Sequence, residues 1–262
     1  MRINELKLLP TDDQRTQHVS NGIISSVKNE CGSALQQCKY GNSILKGFGV
    51  ELTHTSYKID PSLKQRVSVN THNYYTVLMD NLPSWQEYPK RSRSLICSTS
   101  LYTARGFATG EPYNIFPIDG AKIAVCPRLD IWHVKLTDNL TFVGLNGIFR
   151  ECKVSWYSYR NILDDIFQNR KKIATYLQDA ATTTSYNKII DDIRSSDSQE
   201  QLITALDNLY NPDRLGFKLF SIEEMPAYNN REVWIGSPCY AVKHGSPTYK
   251  KLTGINAQSP SI

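Results

Sequence analysis

The sequence predicts an α+β fold, a mainly β core interrupted by a helical insert over residues 155–215. Three observations carry this expectation. Short apolar runs bounded by turn residues fill the middle of the chain, from "SLICSTS" to "AKIAVCP". Apolar residues three and four apart dominate from about Ser155 to Leu215, and strand-like runs return in "GFKLFSIEEMPAYNNREVWIGSPCYAV". No internal repeat, low-complexity tract or linker divides the 262 residues, which read as one domain over 1–262. At 40% hydrophobic they can bury a substantial core.

Taken in order, residues 20–40 put Ile23, Ile24, Val27, Cys31, Ala34, Leu35 and Cys38 on one helical stripe, with Ser20 or Asn21 as the cap. Gly41-Asn42 stops that helix, and "SILKGFGVEL" reads as a short strand. Its glycines, Gly47 included, mark close approach of backbone to a neighbour or a ligand. Residues 53–69 show little regular pattern. Helical spacing returns through Tyr74, Val77, Leu78 and Leu82 until Pro83 ends it. Arg91 and Arg93 form a basic approach to an apolar strand that finishes in the hydroxyls of Ser98, Thr99 and Ser100. "LYTARGFATG" then predicts one to two helical turns closed by Gly110. Asp119-Gly120 between two apolar runs predicts a hairpin. The insert reads as about three helices, with "SSDSQEQ" as a capping-box-like restart. Beyond it, Asn230 to Val242 is strand-like with a turn in its middle and Glu232 at its mouth, and the polar tail from Lys243 is expected to end irregularly.

Composition excludes several functions. A net charge of +5 with 21% charged residues lacks the dense basic footprint of a duplex-DNA binder. No apolar run approaches the roughly 20 residues of a membrane span, and "MRINELKLLPTDDQ" lacks the apolar stretch of a secretory signal, so the chain reads as cytosolic. Six scattered cysteines and five dispersed histidines form no CxxC or HExxH and no zinc-ligand spacing. Free, mostly buried thiols and no metal are expected. Phosphate-loop and GxSxG motifs are absent, and neither Cys97 nor Cys239 has an evident His partner for thiol catalysis.

Three separated segments, "SILKGFG", "SLICSTS" and "NREVWIGSPCYAV", stand in an order that resembles the ADP-ribosyltransferase superfamily, in its toxin-like branch and as a phage-type member. That branch is marked by Arg on a first strand, Ser-Thr-Ser on a second and Glu on a later one. The resemblance spans roughly residues 20–245, with the helical insert outside it. It implies a split β-sheet core with flanking helices, and an NAD-dependent mono-ADP-ribosyltransferase, a glycosyltransferase. The acceptor would be a protein or nucleic acid, and a viral member would act in the host cytoplasm. Glu232 would stabilise the positive charge that develops on ribose as nicotinamide leaves, and would hold that ribose in place. Ser98 would bond to Glu232 or the ribose while Thr99 and Ser100 brace the cleft.

Two departures stand out. Lys46 occupies the place of the family's arginine, and a point charge cannot repeat that residue's planar, bidentate grip on phosphate. Arg91 or Arg93 would be the substitute, unless both belong to a solvated turn. Asn230 stands where the family commonly has Glu or Gln, so it can orient a nucleophile but cannot act as a base. Tyr102, Phe107, Tyr113, Phe116 and Trp234 are candidates for stacking on nicotinamide or adenine, with core packing the more ordinary use. Competing with transfer are NAD hydrolysis at the same site and a catalytically silent binding or virion module. The family reading requires Lys46, Ser98 and Glu232 to converge on one cleft. It also expects Glu232→Gln to lower turnover while stability barely moves.

Overall fold

The structure, a computed structural model, describes residues 16–18, 22–66, 72–180 and 186–255. Nine strands form one open antiparallel sheet: β1 (Thr16–His18), β2 (Leu45–Lys46), β3 (Ser56–Ile59), β4 (Leu95–Ser98), β5 (Tyr113–Pro117), β6 (Lys122–Val125), β7 (Lys218–Ser221), β8 (Glu232–Ile235) and β9 (Cys239–Lys243). Their order is β1-β3-β9-β5-β2-β4-β8-β6-β7. The two-residue β2 is the narrow waist of this sheet. It joins β5 through Leu45 opposite Asn114 and Lys46 opposite Tyr113, and joins β4 only through Leu45 opposite Ser98. Four strands therefore lie on each side of it.

Alternation along the strands divides the core in two, because successive side chains point to opposite faces. On β8, Val233 and Ile235 join Ile123 and Val125 of β6 in a cluster with α1 (Ile23–Glu30), α2 (Gly32–Lys39) and α10 (Pro247–Thr253). Trp234 and Ala124 point the other way, into a helical lobe of α3 (Tyr74–Asn81), α5 (Phe142–Glu151), α6 (Tyr159–Ala180), α7 (Asn187–Ser195), α8 (Gln199–Tyr210) and α9 (Pro212–Leu215). The predicted insert is thus helical. In α6 the buried stripe is Ile162, Ile166, Ile173 and Leu177, and each such side chain contributes about 1.5–3 kcal/mol when removed from water. The expected restart is present: the Ser198 hydroxyl caps α8 by accepting from Gln201 N–H, while the Gln201 side chain accepts from Asp197 N–H. Two helices outside the predicted insert, α3 and α5, join this lobe, and Phe142, Leu145 and Phe149 of α5 carry a helical spacing.

Several expectations are corrected. The Asp119-Gly120 pair is not a hairpin, because β5 and β6 are separated by β2, β4 and β8. It is a corner between the two halves. Gly120 takes φ +77° and donates its N–H to Glu223 Oε1, and the Asp119 carboxylate accepts from Gly32 N–H and Ser33 N–H at the start of α2. For the same reason the strands on either side of Gly236 do not pair with each other: β8 lies between β4 and β6, and β9 between β3 and β5. The helical stripe of residues 20–40 is preserved but broken at Cys31, whose φ of −134° separates α1 from α2. Ser20 and Asn21, the expected caps, lie outside the described residues. The unpatterned segment 53–69 holds β3, which reads as irregular because "SYKI" draws its order from pairing with β9 rather than from alternation. The short helix α4 (Leu101–Gly106) ends at Phe107 rather than Gly110. The polar tail is not irregular throughout, since Ser246 caps α10 by accepting from Tyr249 N–H.

Candidate active site

A cleft of about 770 Å³, counted out to its open mouth, lies beside the waist of the sheet. Lys46, Gly47, Ser98 and Glu232 all line it, together with Arg91, Asp130, Tyr75, Trp132, Phe107 and Leu129. The convergence follows from strand register. Leu45 faces Ser98 across β2 and β4, and Ser98 faces Glu232 across β4 and β8. Directly opposed antiparallel residues have Cα atoms about 4.5–5.5 Å apart, so three segments distant in sequence meet within two strand spacings.

Glu232 opens β8 at 5% exposure and is held by three donors. Its Oε1 accepts from Arg91 Nη2 at 3.1 Å and from the Trp234 indole N–H at 2.6 Å, and its Oε2 accepts from Ile131 N–H at 3.1 Å. The Trp234 bond exists because residues two apart on a strand share a face. Trp234 itself is core, stacked on Trp85 and tilted against Phe217, so its role is to fix the acid rather than to receive a ligand's ring.

Arg91 is not part of a solvated turn. It is 7% exposed, with its guanidinium over the Tyr75 and Trp234 rings, Cζ lying 5.2 and 5.5 Å from their centroids. Asp80 at the end of α3 explains this inward placement: its carboxylate accepts from Ser92 N–H and ties down the turn over Arg91–Arg93. Burial works against the Arg91 charge, but Tyr75, Glu232 and Asp130 more than offset it, and the side chain remains a cation. Its Nε is buried with no hydrogen-bond partner among the described residues. Arg93 is the solvated member of the pair, exposed and donating to the Ser62 carbonyl.

The hydroxyl triplet serves backbone more than the acid. Ser98 Oγ accepts from Ser100 N–H at 3.0 Å, and of the two partners expected for it, Glu232 or the ribose, Glu232 is not bonded to it among the described residues. Thr99 Oγ1 accepts from Arg231 N–H and so fixes the residue before Glu232, while Ser100 caps α4 by accepting from Thr103 N–H. Thr99 and Ser100 brace the cleft without lining it. Lys46 is 7% exposed, with its ammonium 6.0 Å from the Phe48 ring centroid. Gly47 is required sterically, since a Cβ there would sit 2.0 Å from the Ala104 carbonyl oxygen. Asn230 is the candidate that the fold does not bring in. It is exposed, with φ +56°, and does not line the cleft. Of the aromatic candidates, Phe107 lines the cleft at 43% exposure, Tyr102 stands outside it at 89%, and Tyr113 and Phe116 are core.

Sequence reasoning missed Asp130, Tyr75 and Trp132. Tyr75 reads in sequence as one more apolar position of α3. Asp130 stands in no motif of the sequence; in the structure it caps the turn Ile131–His133, its Oδ1 accepting from Trp132 N–H at 3.0 Å. Burial first, and the Glu232 charge second, raise the Asp130 pKa, against the Trp132 N–H, Arg91 and His133. No group of three or more His, Cys, Asp or Glu side chains able to hold a metal exists among the described residues, where no helix is long and apolar enough to cross a membrane.

These features define an α+β protein with an open antiparallel sheet and a charged cleft at the sheet's waist. Comparison with family models, with curated proteins and with solved structures finds no match.

Proposed function

We propose that this cleft binds NAD, breaks its nicotinamide–ribose bond and passes ADP-ribose to a macromolecular acceptor. The observation that supports this reading most is the adjacency of Lys46, Ser98 and Glu232 on β2, β4 and β8, since these are the three segments that carry the sequence resemblance. The residues present suit such a substrate. Lys46 and Arg91 are buried cations at a cleft wall, suited to a diphosphate, and Phe107 and Trp132 add aromatic surface to its lining.

As the bond to nicotinamide lengthens, positive charge grows on the ribose, and a fixed carboxylate in a water-poor site stabilises it with little reorganisation. Glu232 meets that description because three donors hold it in one geometry. The nicotinamide ring nitrogen takes the bonding electron pair and leaves uncharged.

A second reading has its own observation. Arg91 already balances the Glu232 charge, as it would in a binding module whose acid is structural. Incubation with NAD labelled in its adenylate half separates the readings. Label on a macromolecule, abolished in Glu232→Gln, supports transfer. Release of free ADP-ribose and nicotinamide points to hydrolysis. Neither product, with or without NAD binding by calorimetry, removes the enzymatic reading.

A further inference from the structure

We infer that Asp130 is the base of this site, taking the proton from the attacking acceptor as the nicotinamide–ribose bond breaks; this rests on the reading of the cleft as an NAD-cleaving site. The resemblance placed the acceptor-handling residue at Asn230, which is exposed and outside the cleft wall. Asp130 lies within that wall. Its position relative to Glu232 is fixed from both sides, because Glu232 N–H donates to the Arg128 carbonyl at 2.9 Å and Ile131 N–H donates to Glu232 Oε2 at 3.1 Å. Asp130 sits between those two stitches.

The two carboxylates differ in the way acid–base pairs differ. Glu232 accepts from three donors, one of them the Arg91 guanidinium, which occupy both of its oxygens. Asp130 accepts one backbone N–H through Oδ1, and its Oδ2 has no hydrogen bond among the described residues. The charged groups that act on it are Glu232 on β8, Arg91 in the turn before β4, and His133 in its own turn. Burial and the neighbouring Glu232 charge raise its pKa, the direction that brings a carboxylate closer to a base useful near neutral pH. In the step itself, the acceptor oxygen or nitrogen forms a bond to the ribose anomeric carbon and its proton moves to Asp130 Oδ2. The carbon–nitrogen bond breaks at the same carbon, and neutral nicotinamide departs with the electron pair.

Asp130→Asn tests this, because the amide oxygen keeps the acceptor for Trp132 N–H. Nicotinamide release from NAD should fall on the order of 10²-fold or more in Asp130→Asn, the usual contribution of a positioned base. Azide, a nucleophile with no proton to lose, should restore release to Asp130→Asn but not to Glu232→Gln. Independently of turnover, the Asp130 carboxyl carbon, followed by NMR in labelled protein, should titrate above the ordinary aspartate range. Undiminished release by Asp130→Asn, a loss that azide does not rescue, or an ordinary Asp130 titration would each overturn the assignment. If the wild-type protein releases no nicotinamide, the NAD reading fails and this one with it. Active wild type, silent Glu232→Gln and fully active Asp130→Asn would sink the base alone.

Discussion

Arg91 Nη2 donates to Glu232 Oε1 across 3.1 Å although 141 residues separate them, and their side chains are only 8% and 6% exposed. A pair this buried is not a surface salt bridge. Taking two charges out of water is costly, and the pair is tolerated because each charge answers the other and the Trp234 and Ile131 N–H groups complete the carboxylate. The same geometry that fixes the carboxylate in one orientation also couples it to stability.

The first prediction follows from that coupling. Removing either partner strands a buried charge, so Arg91→Ala should lose about 3–5 kcal/mol of unfolding free energy. Glu232→Gln, expected from the sequence to leave stability almost unmoved, should instead lose stability because Glu232 is paired with buried Arg91, by less than Arg91→Ala because the amide oxygen still accepts hydrogen bonds. Replacing both by apolar residues, Arg91→Met with Glu232→Leu, should cost less than the sum of the single losses. Urea unfolding of the four proteins measures this, and single losses below about 1 kcal/mol would show that the pair behaves as a solvated one.

Adjacency of the three motif segments was legible because it is carried by short strands with strong local signatures: an apolar run into Ser98, and a glutamate at the head of Val233-Trp234-Ile235. The helices of residues 155–215 were legible through their 3.6-residue period. Pairing partners were not. Asp119-Gly120 carries the local chemistry of a tight turn, and nothing local says that β5 and β6 part company across the waist. Arg91 illustrates the same limit within the site. In sequence it belongs to a basic cluster, and only the tether from Asp80 to Ser92 turns it inward onto Tyr75, Trp234 and Glu232. Asp130 was hidden because it stands in no motif of the sequence.

The second prediction concerns Lys46. If this buried cation meets phosphate equally in the ground and transition states, Lys46→Ala should weaken NAD binding and raise the apparent KM while leaving kcat near its wild-type value. A charge-assisted hydrogen bond is worth about 1.5–3 kcal/mol, which corresponds to about a 10- to 150-fold change in Kd. Calorimetry with NAD reads it directly. Unchanged affinity would take Lys46 out of the binding site.

Gly47 gives a steric prediction. A Cβ at this position would lie 2.0 Å from the Ala104 carbonyl oxygen, 2.9 Å from Ala108 N and 3.0 Å from the Phe107 carbonyl carbon, all of them backbone atoms. Gly47→Ala therefore cannot be absorbed by a rotamer change. Either β2 or the end of α4 must move, and overpacking of this kind costs about 1–3 kcal/mol or more. Because Gly47, Ala104 and Phe107 all line the cleft, the shift should also reduce ligand binding. Thermal unfolding beside NAD titration checks both halves, and a variant as stable as wild type would show that α4 yields freely.

The final prediction uses pH to isolate Asp130 from its neighbours. Its folded-state pKa is raised, chiefly by burial and next by the Glu232 charge, so folding favours its protonated form. For an acid shifted in that direction, the stabilising contribution is complete below the unfolded value of about 3.9 and is lost as pH rises through the higher folded value. The Asp130→Asn protein stays neutral at this position and loses nothing over that range, while it keeps an acceptor for Trp132 N–H. Subtracting one unfolding free energy from the other at each pH cancels the titration of groups that the substitution leaves undisturbed. The difference should move in favour of Asp130→Asn as pH rises from about 4, then level off once wild-type Asp130 is ionised in the folded state. Urea unfolding of both proteins across pH 3.5–8 records the curve. A difference that instead moves toward the wild type with rising pH would mean that Arg91 outweighs burial at Asp130, leaving a carboxylate too weakly basic to accept a proton from an acceptor group.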